Sequence, residues 1–503
     1  MKQLLNCLLV VASILLTGVL AEAATRLIDG LPLLTDWLPE TLDRDSAAKH
    51  LDAIPRAPGV DRAWFFSDPA PLSNRGHAPP EWVRLAQKIG EAPPTVNTAY
   101  RPADAFKAWN SAFVGNPCSS RFFRQAPGRL YVYDPPDGLP HPRFRFLPNA
   151  TTPLGLVTNE IGWRGPPIED LPAKKAVRIV FVGASTTVNS HYYPYSYPEL
   201  VGHWLNLWAA AHGLGIEFEA LNAGREGVSS TDIEAIVRLE ASRLSPDLVV
   251  YYEGVNQFDM TTSLREWGTS EPVLLNQIAS ETSVSRWLRA ASHRFALARR
   301  LQSALGLIDN PGQGVEWPKP VYELVWPNAL DEADPDLSRA DLPVNLSVIL
   351  SDFDRMRTGL ESVGAEFAVS SFVWMVHDGM VLDPVRHKVL LEWLNVTHFP
   401  FRYADIERMV TFQNRVFRKY AGEHGLGFFD VAGLIPKDPD LFTDAIHMSY
   451  AGIRLHAWIV MQGLVPMIEA NLAKGVWPRP VRHPVAASTD LLFSPHELKF
   501  ECQ

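Results

Sequence analysis

The chain has 503 residues, 47% of them hydrophobic and 20% charged, which allows a large buried core and more than one domain. The formal net charge is −10 at pH 7 and the basic residues form no run, so the sequence argues against a nucleic-acid partner, whose binding rests on clustered positive charge. The 41 prolines indicate long ordered connections rather than a bare helix bundle.

The N-terminal segment predicts transfer of the chain across a membrane. Lys2 precedes an apolar run from Leu4 to Leu20, and Ala21-Glu22-Ala23 has the small residues of a signal-peptide cleavage site. The run is also almost as long as a spanning helix of ~20 residues, and the chain continues into Arg26 without a break. Residues 1–24 are therefore a cleaved signal peptide or an uncleaved transmembrane anchor, and the anchor is favoured. Both interpretations make the protein exported, in a periplasm or at a cell surface, with membrane contact through this segment only.

Residues 25–150 are dense in Pro and aromatic residues and contain no chemical motif. We interpret them as an accessory region packed on the main domain, in preference to a carbohydrate-contacting surface of exposed aromatic rings. Cys7 lies in the apolar run, which leaves Cys118 in this region and Cys502 in the C-terminal tail, residues 481–503. A disulfide between these two cysteines and a pair of unrelated thiols are both compatible with the sequence.

Residues 151–480 alternate between strand and helix patterns. Short apolar runs rich in β-branched residues predict five strands, at 177–182, 216–221, 247–252, 365–373 and 426–431. Apolar spacing and capping patterns predict helices around 200–208, from Thr231 with a capping box to Glu234, and at 346–363, 404–424 and 449–473. Residues 258–340 add no matching strand and are expected to be an insertion, with a helical patch around 283–305. This alternation predicts an α/β domain whose parallel sheet is covered on both faces.

Residues with chemical potential follow three of these strands and precede the last helix. They lie in four segments: Gly183-Ala-Ser-Thr-Thr187, Asn222-Ala-Gly-Arg-Glu-Gly227, Glu253-Gly-Val-Asn256 and Asp444-Ala-Ile-His447. Each has an ordinary explanation alone, since Ser often caps a helix and Gly or Asn often forms a turn. All four occur in order at positions that right-handed crossovers bring to one edge of a sheet, so together they indicate an active site.

In this order the four segments resemble the SGNH/GDSL-like hydrolase superfamily, over roughly residues 155–470. The resemblance implies a three-layer α/β/α fold with a flavodoxin-like parallel sheet of about five strands. It also implies that Ser185 is the nucleophile, that Gly227 and Asn256 contribute to the oxyanion hole, and that Asp444 orients the base His447.

Two positions depart from the family pattern. Ala184 stands where Asp is usual, and Gln257 replaces the Asp that often follows the Asn of the third segment. Neither position belongs to the implied catalytic triad of Ser185, Asp444 and His447. Without an Asp at position 184, however, the sequence does not explain what supports the nucleophile loop. The upstream segment Thr158-Asn-Glu-Ile-Gly-Trp-Arg-Gly165 also looks like exported members of this group.

These residue types suit acyl transfer. A serine hydroxyl is a poor nucleophile until a base takes its proton, and histidine has an unperturbed pKa near ~6.5 that suits this role. A carboxylate on the opposite ring nitrogen fixes the tautomer, and N–H donors stabilise the oxyanion. We therefore expect a serine esterase that forms an acyl-Ser185 intermediate and needs no metal or organic cofactor. Its expected substrate is an O-acyl ester, in the first place O-acetyl, of an extracytoplasmic glycan or polysaccharide.

Three alternatives remain at this point: a polysaccharide O-acetyltransferase, a lipid or lysophospholipid esterase, and a non-enzymatic glycan-binding envelope protein. His377, Asp378, His387 and His398 could be metal ligands, but without a HExxH pairing we expect them to border the mouth of the active site. His191, with its neighbouring tyrosines Tyr192, Tyr193 and Tyr195, fits an acyl pocket and a surface cluster equally well.

Overall fold

A computed structural model gives the fold of most of the chain. It describes residues 2–28, 33, 47–77, 128–132, 146, 148–149, 151, 156–168, 175–189, 194–265, 295–305, 319, 321–380, 382, 387, 390–391, 394, 397–479 and 496–500. The chain divides into two compact units. The first, here the α1 unit, comprises Met1–Asp43, Trp267–Val321 and Val376–Ile406. The second, the sheet unit, comprises Arg44–Glu266, Tyr322–Met375 and Glu407–Gln503.

The described strands are numbered in chain order: β1 (Gly128–Val132), β2 (Lys175–Gly183), β3 (Ile216–Asn222), β4 (Leu248–Tyr252), β5 (Leu264–Arg265), β6 (Glu323–Leu324), β7 (Glu366–Ser370), β8 (Gly427–Phe429) and β9 (His496–Phe500). Five of them form one sheet in the order β3-β2-β4-β7-β8, and every neighbouring pair is parallel. This is the order of a flavodoxin-like sheet, in which the strand order reverses between β2 and β4, although all strands stay parallel. The predicted α/β class and parallel sheet are confirmed.

The described α-helices are α1 (Lys2–Ile28), α2 (Ser185–Val188), α3 (Tyr197–Ala211), α4 (Ser230–Leu239), α5 (Ala296–Ala304), α6 (Leu346–Ser362), α7 (Tyr403–Glu423), α8 (Val431–Leu434) and α9 (Tyr450–Ala473). Helices cover both faces of the sheet. Tyr251 and Tyr252 are neighbours on β4 and therefore point to opposite faces. The ring of Tyr251 packs against Phe353 of α6, with ring centroids 4.7 Å apart. The ring of Tyr252 packs against His456 of α9, with ring centroids 4.3 Å apart.

The helix predictions are close to the observed bounds, with one correction. The capping box predicted at Thr231 and Glu234 is wrong, because the cap of α4 is Ser229, whose side chain accepts the N–H of Asp232 while the Asp232 carboxylate accepts the N–H of Ser229. The strand predicted over 365–373 is too long. It ends at Ser370, since the N–H of Phe372 donates to the side chain of Asn414 at 2.7 Å and not to a strand.

The described residues 47–77 pack on the face covered by α3 and α9. Phe65 is buried and contacts Trp204 of α3 and Trp458 of α9, with ring centroids 5.9 and 5.6 Å apart. The guanidinium of Arg454 on α9 donates to the Asp68 carboxylate at 2.6 Å. This part of the accessory region therefore forms a further layer outside α3 and α9.

Two short antiparallel pairs lie outside the main sheet. Strand β1 of the accessory region pairs with β9 of the C-terminal tail, which joins those two segments through their backbones. Strand β5 pairs with β6, so the described residues between β4 and β7 add no strand to the five-stranded sheet. Cys118 and Cys502 lie outside the described residues, and their disulfide stays a prediction.

Two helices in the described part of the chain are long and apolar enough to cross a membrane. One is α9, which is mostly buried in the sheet unit and is therefore a core helix. The other is α1, whose apolar window runs over Leu9–Ile28 and is mostly exposed. Within the α1 unit, α1 lies against α5, the described part of the helical patch expected around 283–305.

Candidate active site

Ser185 stands at the first position of α2, directly after the buried strand β2. The turn between them needs a glycine at position 183, because a Cβ there would lie 2.2 Å from the carbonyl oxygen of Tyr252 and 2.1 Å from Thr187 Oγ1. Thr187 Oγ1 donates to that same Tyr252 carbonyl at 3.0 Å. The end of β4 therefore fixes the turn that presents Ser185, a residue that is 8% exposed.

Ala184, at the position where the family that the sequence resembles usually has Asp, is buried in this turn. Its carbonyl accepts the N–H groups of Thr187 and Val188 at 2.9 and 3.0 Å, which closes α2. The side-chain amide of Asn222, at the end of β3, donates to the Thr187 carbonyl at 2.9 Å. Main-chain bonds and neighbouring strand ends thus support the nucleophile turn in place of an Asp side chain.

A buried arginine holds the other end of α2. The guanidinium of Arg164 donates to the main-chain carbonyls of Val188, at 3.1 Å, and of Asn189. Its Nε donates to the Glu199 carboxylate at 2.9 Å, and both side chains of this ion pair are almost fully buried. The segment Thr158–Gly165 drew attention in the sequence only by resemblance. In the structure its residue Arg164 holds the nucleophile turn in place through these hydrogen bonds. A single Arg in a loop forms no sequence pattern from which this role could be predicted.

His447 connects Ser185 to Asp444. His447 Nε2 lies 2.8 Å from Ser185 Oγ, and its Nδ1 lies 2.7 Å from Asp444 Oδ2. A carboxylate can only accept, so in the neutral imidazole Nδ1 carries the proton and Nε2 accepts from the serine hydroxyl. The Asp444 side chain also accepts the backbone N–H groups of Ile446 and His447 at 2.9 and 2.8 Å. These bonds hold the carboxylate and the imidazole in one turn.

The loops of Gly227 and Asn256 are joined by a hydrogen bond to Val228. The Asn256 side-chain amide donates to the carbonyl of Val228 at 2.9 Å, directly after Gly227. An amide nitrogen has two N–H groups, so one of them remains for a ligand. Gly227 has a positive φ of 65° in an exposed turn, and neither residue hydrogen-bonds to Ser185 in the part of the chain that the structure describes. The structure thus joins Ser185, His447 and Asp444 by hydrogen bonds, and it links Asn256 to the loop of Gly227 through Val228.

Glu253 is a site residue that the sequence left without a role. Its carboxylate is fully buried at the end of β4 and accepts the backbone N–H groups of Val255 at 2.6 Å and Asn256 at 2.5 Å. Burial raises the pKa of the Glu253 carboxyl, and the hydrogen bonds from Asn256, Val255 and Tyr251 oppose this rise. Glu253 therefore fixes the turn that carries the Asn256 amide.

A buried aromatic layer lies under the nucleophile turn. The ring of His456 on α9 stacks on Tyr197 at 4.1 Å, and the ring of Tyr252 is 4.3 Å away. Burial lowers the pKa of His456 to about 3, so this imidazole is neutral at physiological pH. It packs as an aromatic ring, unlike His447, which is hydrogen-bonded on both ring nitrogens.

The remaining candidates of the sequence have separate outcomes. His377, Asp378, His387 and His398 belong to the α1 unit, and their place at the active-site mouth stays a prediction. His191, Tyr192 and Tyr193 lie outside the described residues, while Tyr195 donates through its hydroxyl to the carbonyl of Pro69. Among the described residues no group of three or more His, Cys, Asp or Glu side chains could hold a metal ion.

No family model and no curated protein matches the chain. Solved structures do match it at low identity. An alpha/beta hydrolase enzyme from the metagenome of Lake Arreo is 15% identical, with a TM-score of 0.30, over 57% of this chain and 95% of its own. The acetylxylan esterase Axe2 from Geobacillus stearothermophilus is 14% identical, with a TM-score of 0.31, over 59% of this chain and 97% of its own. A GDSL-like lipase from Bacteroides thetaiotaomicron is 11% identical, with a TM-score of 0.28, over 58% and 88%.

Proposed function

We propose that this chain is a serine esterase that hydrolyses an acyl ester through an acyl-Ser185 intermediate. The observation that carries the proposal is the pair of hydrogen-bond distances on one imidazole, 2.8 Å from Nε2 to Ser185 and 2.7 Å from Nδ1 to Asp444. A nucleophile, a base and an orienting carboxylate in this connection are what acyl transfer to serine requires, and packing or ligand binding needs no such connection.

In the first half of the reaction, Ser185 Oγ attacks the acyl carbon and its proton passes to His447 Nε2. The Asp444 carboxylate, held by two backbone N–H groups, stabilises the imidazolium that forms. The carbonyl oxygen becomes an oxyanion. When the carbonyl forms again, the bond to the leaving alcohol breaks and that alcohol takes the proton from Nε2. The product of this half is the acyl-Ser185 ester.

In the second half, water attacks the same carbon and gives a proton to Nε2. The second tetrahedral intermediate releases the carboxylic acid, and the proton returns from Nε2 to Ser185 Oγ. We assign three donors to the oxyanion of both halves: the backbone N–H groups of Ser185 and Gly227 and the second N–H of the Asn256 amide. The bond from Asn256 to Val228 supports this assignment because it fixes the amide next to Gly227.

We further propose that the substrate is an O-acyl ester, in the first place O-acetyl, of an extracytoplasmic glycan. The support is the exposed apolar helix α1, which suits export of the chain to a compartment that holds glycans. An acetyl group also needs little space beside a serine that is 8% exposed.

The test is hydrolysis by the purified full chain in mild detergent. Nitrophenyl esters from acetyl to long acyl chains and an O-acetylated oligosaccharide serve as substrates. Ser185→Ala is compared with the wild type and with Ser362→Ala, which removes an exposed helix serine whose hydroxyl donates to the Gly359 carbonyl. We expect turnover in the wild type and in Ser362→Ala, and a loss of at least about a thousandfold in Ser185→Ala.

The substrate series separates the alternatives. Release of acetate from the oligosaccharide supports the glycan esterase, and a preference for long acyl chains identifies a lipid esterase instead. Transfer of acetyl to an added sugar in place of water identifies an acetyltransferase. Turnover that survives in Ser185→Ala, or no turnover on any ester, contradicts the proposed serine chemistry.

A further inference from the structure

Helix α1 changes its surroundings at one point along its length. Every residue from Leu9 to Leu20 is exposed, and the large apolar side chains among them are 53–65% exposed. Thr25 and Arg26, a single turn past Ala21, are buried. A helix that exposes apolar side chains on all sides is suited to lipid rather than water. Beyond Ala21, α1 has one side against protein, at Thr25 and Arg26, while Leu27 and Ile28 stay exposed.

The protein side of this boundary is organised by Glu22. Its carboxylate accepts the backbone N–H groups of Ala296 and Leu297, both at 2.9 Å, which are the first two residues of α5. It also pairs with Arg26 one turn on, at 2.7 Å. Glu22 thus satisfies N–H groups that the first turn of a helix leaves without partners, and it does so from another element.

This contact bears on whether the N-terminal segment is removed. Cleavage after Ala23, the site that the Ala21-Glu22-Ala23 pattern offers, separates Glu22 from the chain. The N–H groups of Ala296 and Leu297 then lose their acceptor, and Arg26 loses its carboxylate. A signal peptide is discarded before the mature protein folds, so contacts of this kind have a use only in a chain that keeps α1.

Lengths along α1 place α5 at the level of a membrane surface. The apolar run from Leu4 to Leu20 spans about 26 Å as a helix, close to the ~30 Å of a hydrocarbon core. Glu22 follows two residues later, about 3 Å further along the axis. The start of α5 is bonded to Glu22, and the whole of α5 is only about 14 Å long.

The apolar surface of α5 fits that level. Leu301 and Leu305 stand one turn apart on the same face and are 55% and 70% exposed, and Phe295 just before the helix is 42% exposed. Ala296 and Gln302 of α5 are buried, whereas Leu301 is exposed together with Arg300 and Ala304. Amphipathic helices with exposed Leu and Phe enter the boundary between headgroups and acyl chains.

We propose that α1 is retained as a membrane span and that α5, docked on its last turns through Glu22, lies on the same membrane surface with Leu301 and Leu305 in contact with lipid. The α1 unit then contacts the bilayer at two places, a span and a surface helix. This assignment is independent of the proposed esterase activity, because it rests on no residue of the candidate active site.

The first test is the N-terminus of the protein isolated from membranes of cells that export it. Mass spectrometry of its peptides is expected to find sequence that runs unbroken from Glu22 through Arg26. A mature chain that begins at Ala24 overturns the proposal.

The second test measures lipid contact by α5 in the full chain. An environment-sensitive fluorescent amino acid replaces Leu301, or Val348 as the matched control, an exposed aliphatic residue on α6 in the sheet unit. Both proteins are reconstituted into vesicles of equal parts phosphatidylcholine and phosphatidylglycerol that contain a doxyl-labelled lipid. We expect quenching at position 301 that exceeds quenching at 348 on the order of threefold, with a shallow depth typical of an interfacial helix.

Equal quenching at the two positions overturns the lipid contact. A blue-shifted emission at 301 without quenching by the doxyl lipid also overturns it, because protein, such as a second copy of the chain, then covers this face. Quenching of the label at position 301 in vesicles with doxyl lipid supports the proposal. Detergent without doxyl lipid gives the unquenched reference emission.

Discussion

The Glu253 carboxylate accepts the backbone N–H of Asn256 at 2.5 Å, within the turn that leaves β4. It accepts the N–H of Val255 as well, and it is fully buried. The amide of Asn256 is bonded to Val228 from this turn. In the proposed mechanism Glu253 touches no reacting atom and acts by positioning Asn256.

Replacement of Glu253 by Ala is expected to lower kcat by about 10- to 100-fold with KM within about twofold, because two buried N–H groups lose their acceptor and the Asn256 amide loses its fixed position. Glu253→Gln keeps an acceptor oxygen and is expected to lose less. Steady-state kinetics on an acetyl ester give both constants. If Gln and Ala lower kcat equally, or if only KM changes, Glu253 does not position the oxyanion donor.

Asn256→Ala removes a proposed oxyanion donor outright. Such donors are worth about 2.7–4 kcal/mol in the transition state, so kcat is expected to fall by about 100- to 1,000-fold. Gln257→Ala is the control from the same loop, since it removes the neighbouring side chain and leaves the amide in place. A kcat for Asn256→Ala close to that of the control contradicts the assignment.

Arg164→Met is expected to reduce both stability and activity. It leaves the buried Glu199 carboxylate without its cation, and breaking a buried ion pair costs about 3–5 kcal/mol of unfolding free energy. It also removes the donor to the Val188 and Asn189 carbonyls that end α2, which loosens the turn presenting Ser185. Urea unfolding measures the first effect and kcat the second.

The double variant Arg164→Met/Glu199→Gln separates these two effects. It contains no unpaired buried carboxylate, so part of the lost stability should return. The carbonyls of Val188 and Asn189 still lack their donor, and kcat should stay as low as in the single variant. A double variant that recovers activity along with stability shows that Arg164 has a structural role only.

The buried His456 predicts a pH dependence of stability. Its pKa is about 3 in the folded chain and near ~6.5 when unfolded, so between these values only the unfolded state binds the proton. The stability linked to the neutral ring is complete above pH ~6.5 and is lost as the pH falls towards 3. From pH 7 to pH 5 the free energy of unfolding should decrease by about 2 kcal/mol through this group alone.

His456→Phe keeps an aromatic ring against Tyr197 and Tyr252 and cannot take up a proton. Urea unfolding at pH 7, 6 and 5 should therefore give a shallower pH dependence for the variant, with a difference between the two proteins that approaches about 1.4 kcal/mol per pH unit near pH 5. Parallel pH profiles would mean that His456 does not titrate on unfolding.

The sequence predicted those parts of the fold that depend on local patterns. Strands β2 and β4 are largely apolar because both of their sides are buried, and a buried run is visible in sequence. Strand β3, at the edge of the sheet, is only partly buried and includes Glu217 and Glu219. The predicted end of β7 was wrong because a side chain takes the place of a strand partner: Asn414 accepts the N–H of Phe372. At α4 the cap moved to Ser229 because both Ser229 and Thr231 can accept, and only the fold decides between them.

The residues of the candidate site also fall into two groups, those that a sequence pattern indicates and those that only the folded chain reveals. Ser185, Asp444 and His447 lie at spacings that carry a family resemblance, and in the structure His447 is hydrogen-bonded to each of the other two. Arg164 and Glu253 carry no such spacing. Their roles come from burial and from main-chain groups that only the folded chain brings to them. The same holds for Glu22, whose partners on α5 are more than 270 residues away in the chain.

Covalent labelling tests the central claim most directly. The full chain is treated with a fluorophosphonate, which a nucleophilic serine attacks with loss of fluoride, and the labelled peptide is identified by mass spectrometry. We predict a single adduct on Ser185, one that forms far more slowly in His447→Ala because the base that takes the serine proton is missing. No adduct in the wild type, or an adduct at another serine with Ser185 unmodified, would contradict the proposed serine esterase.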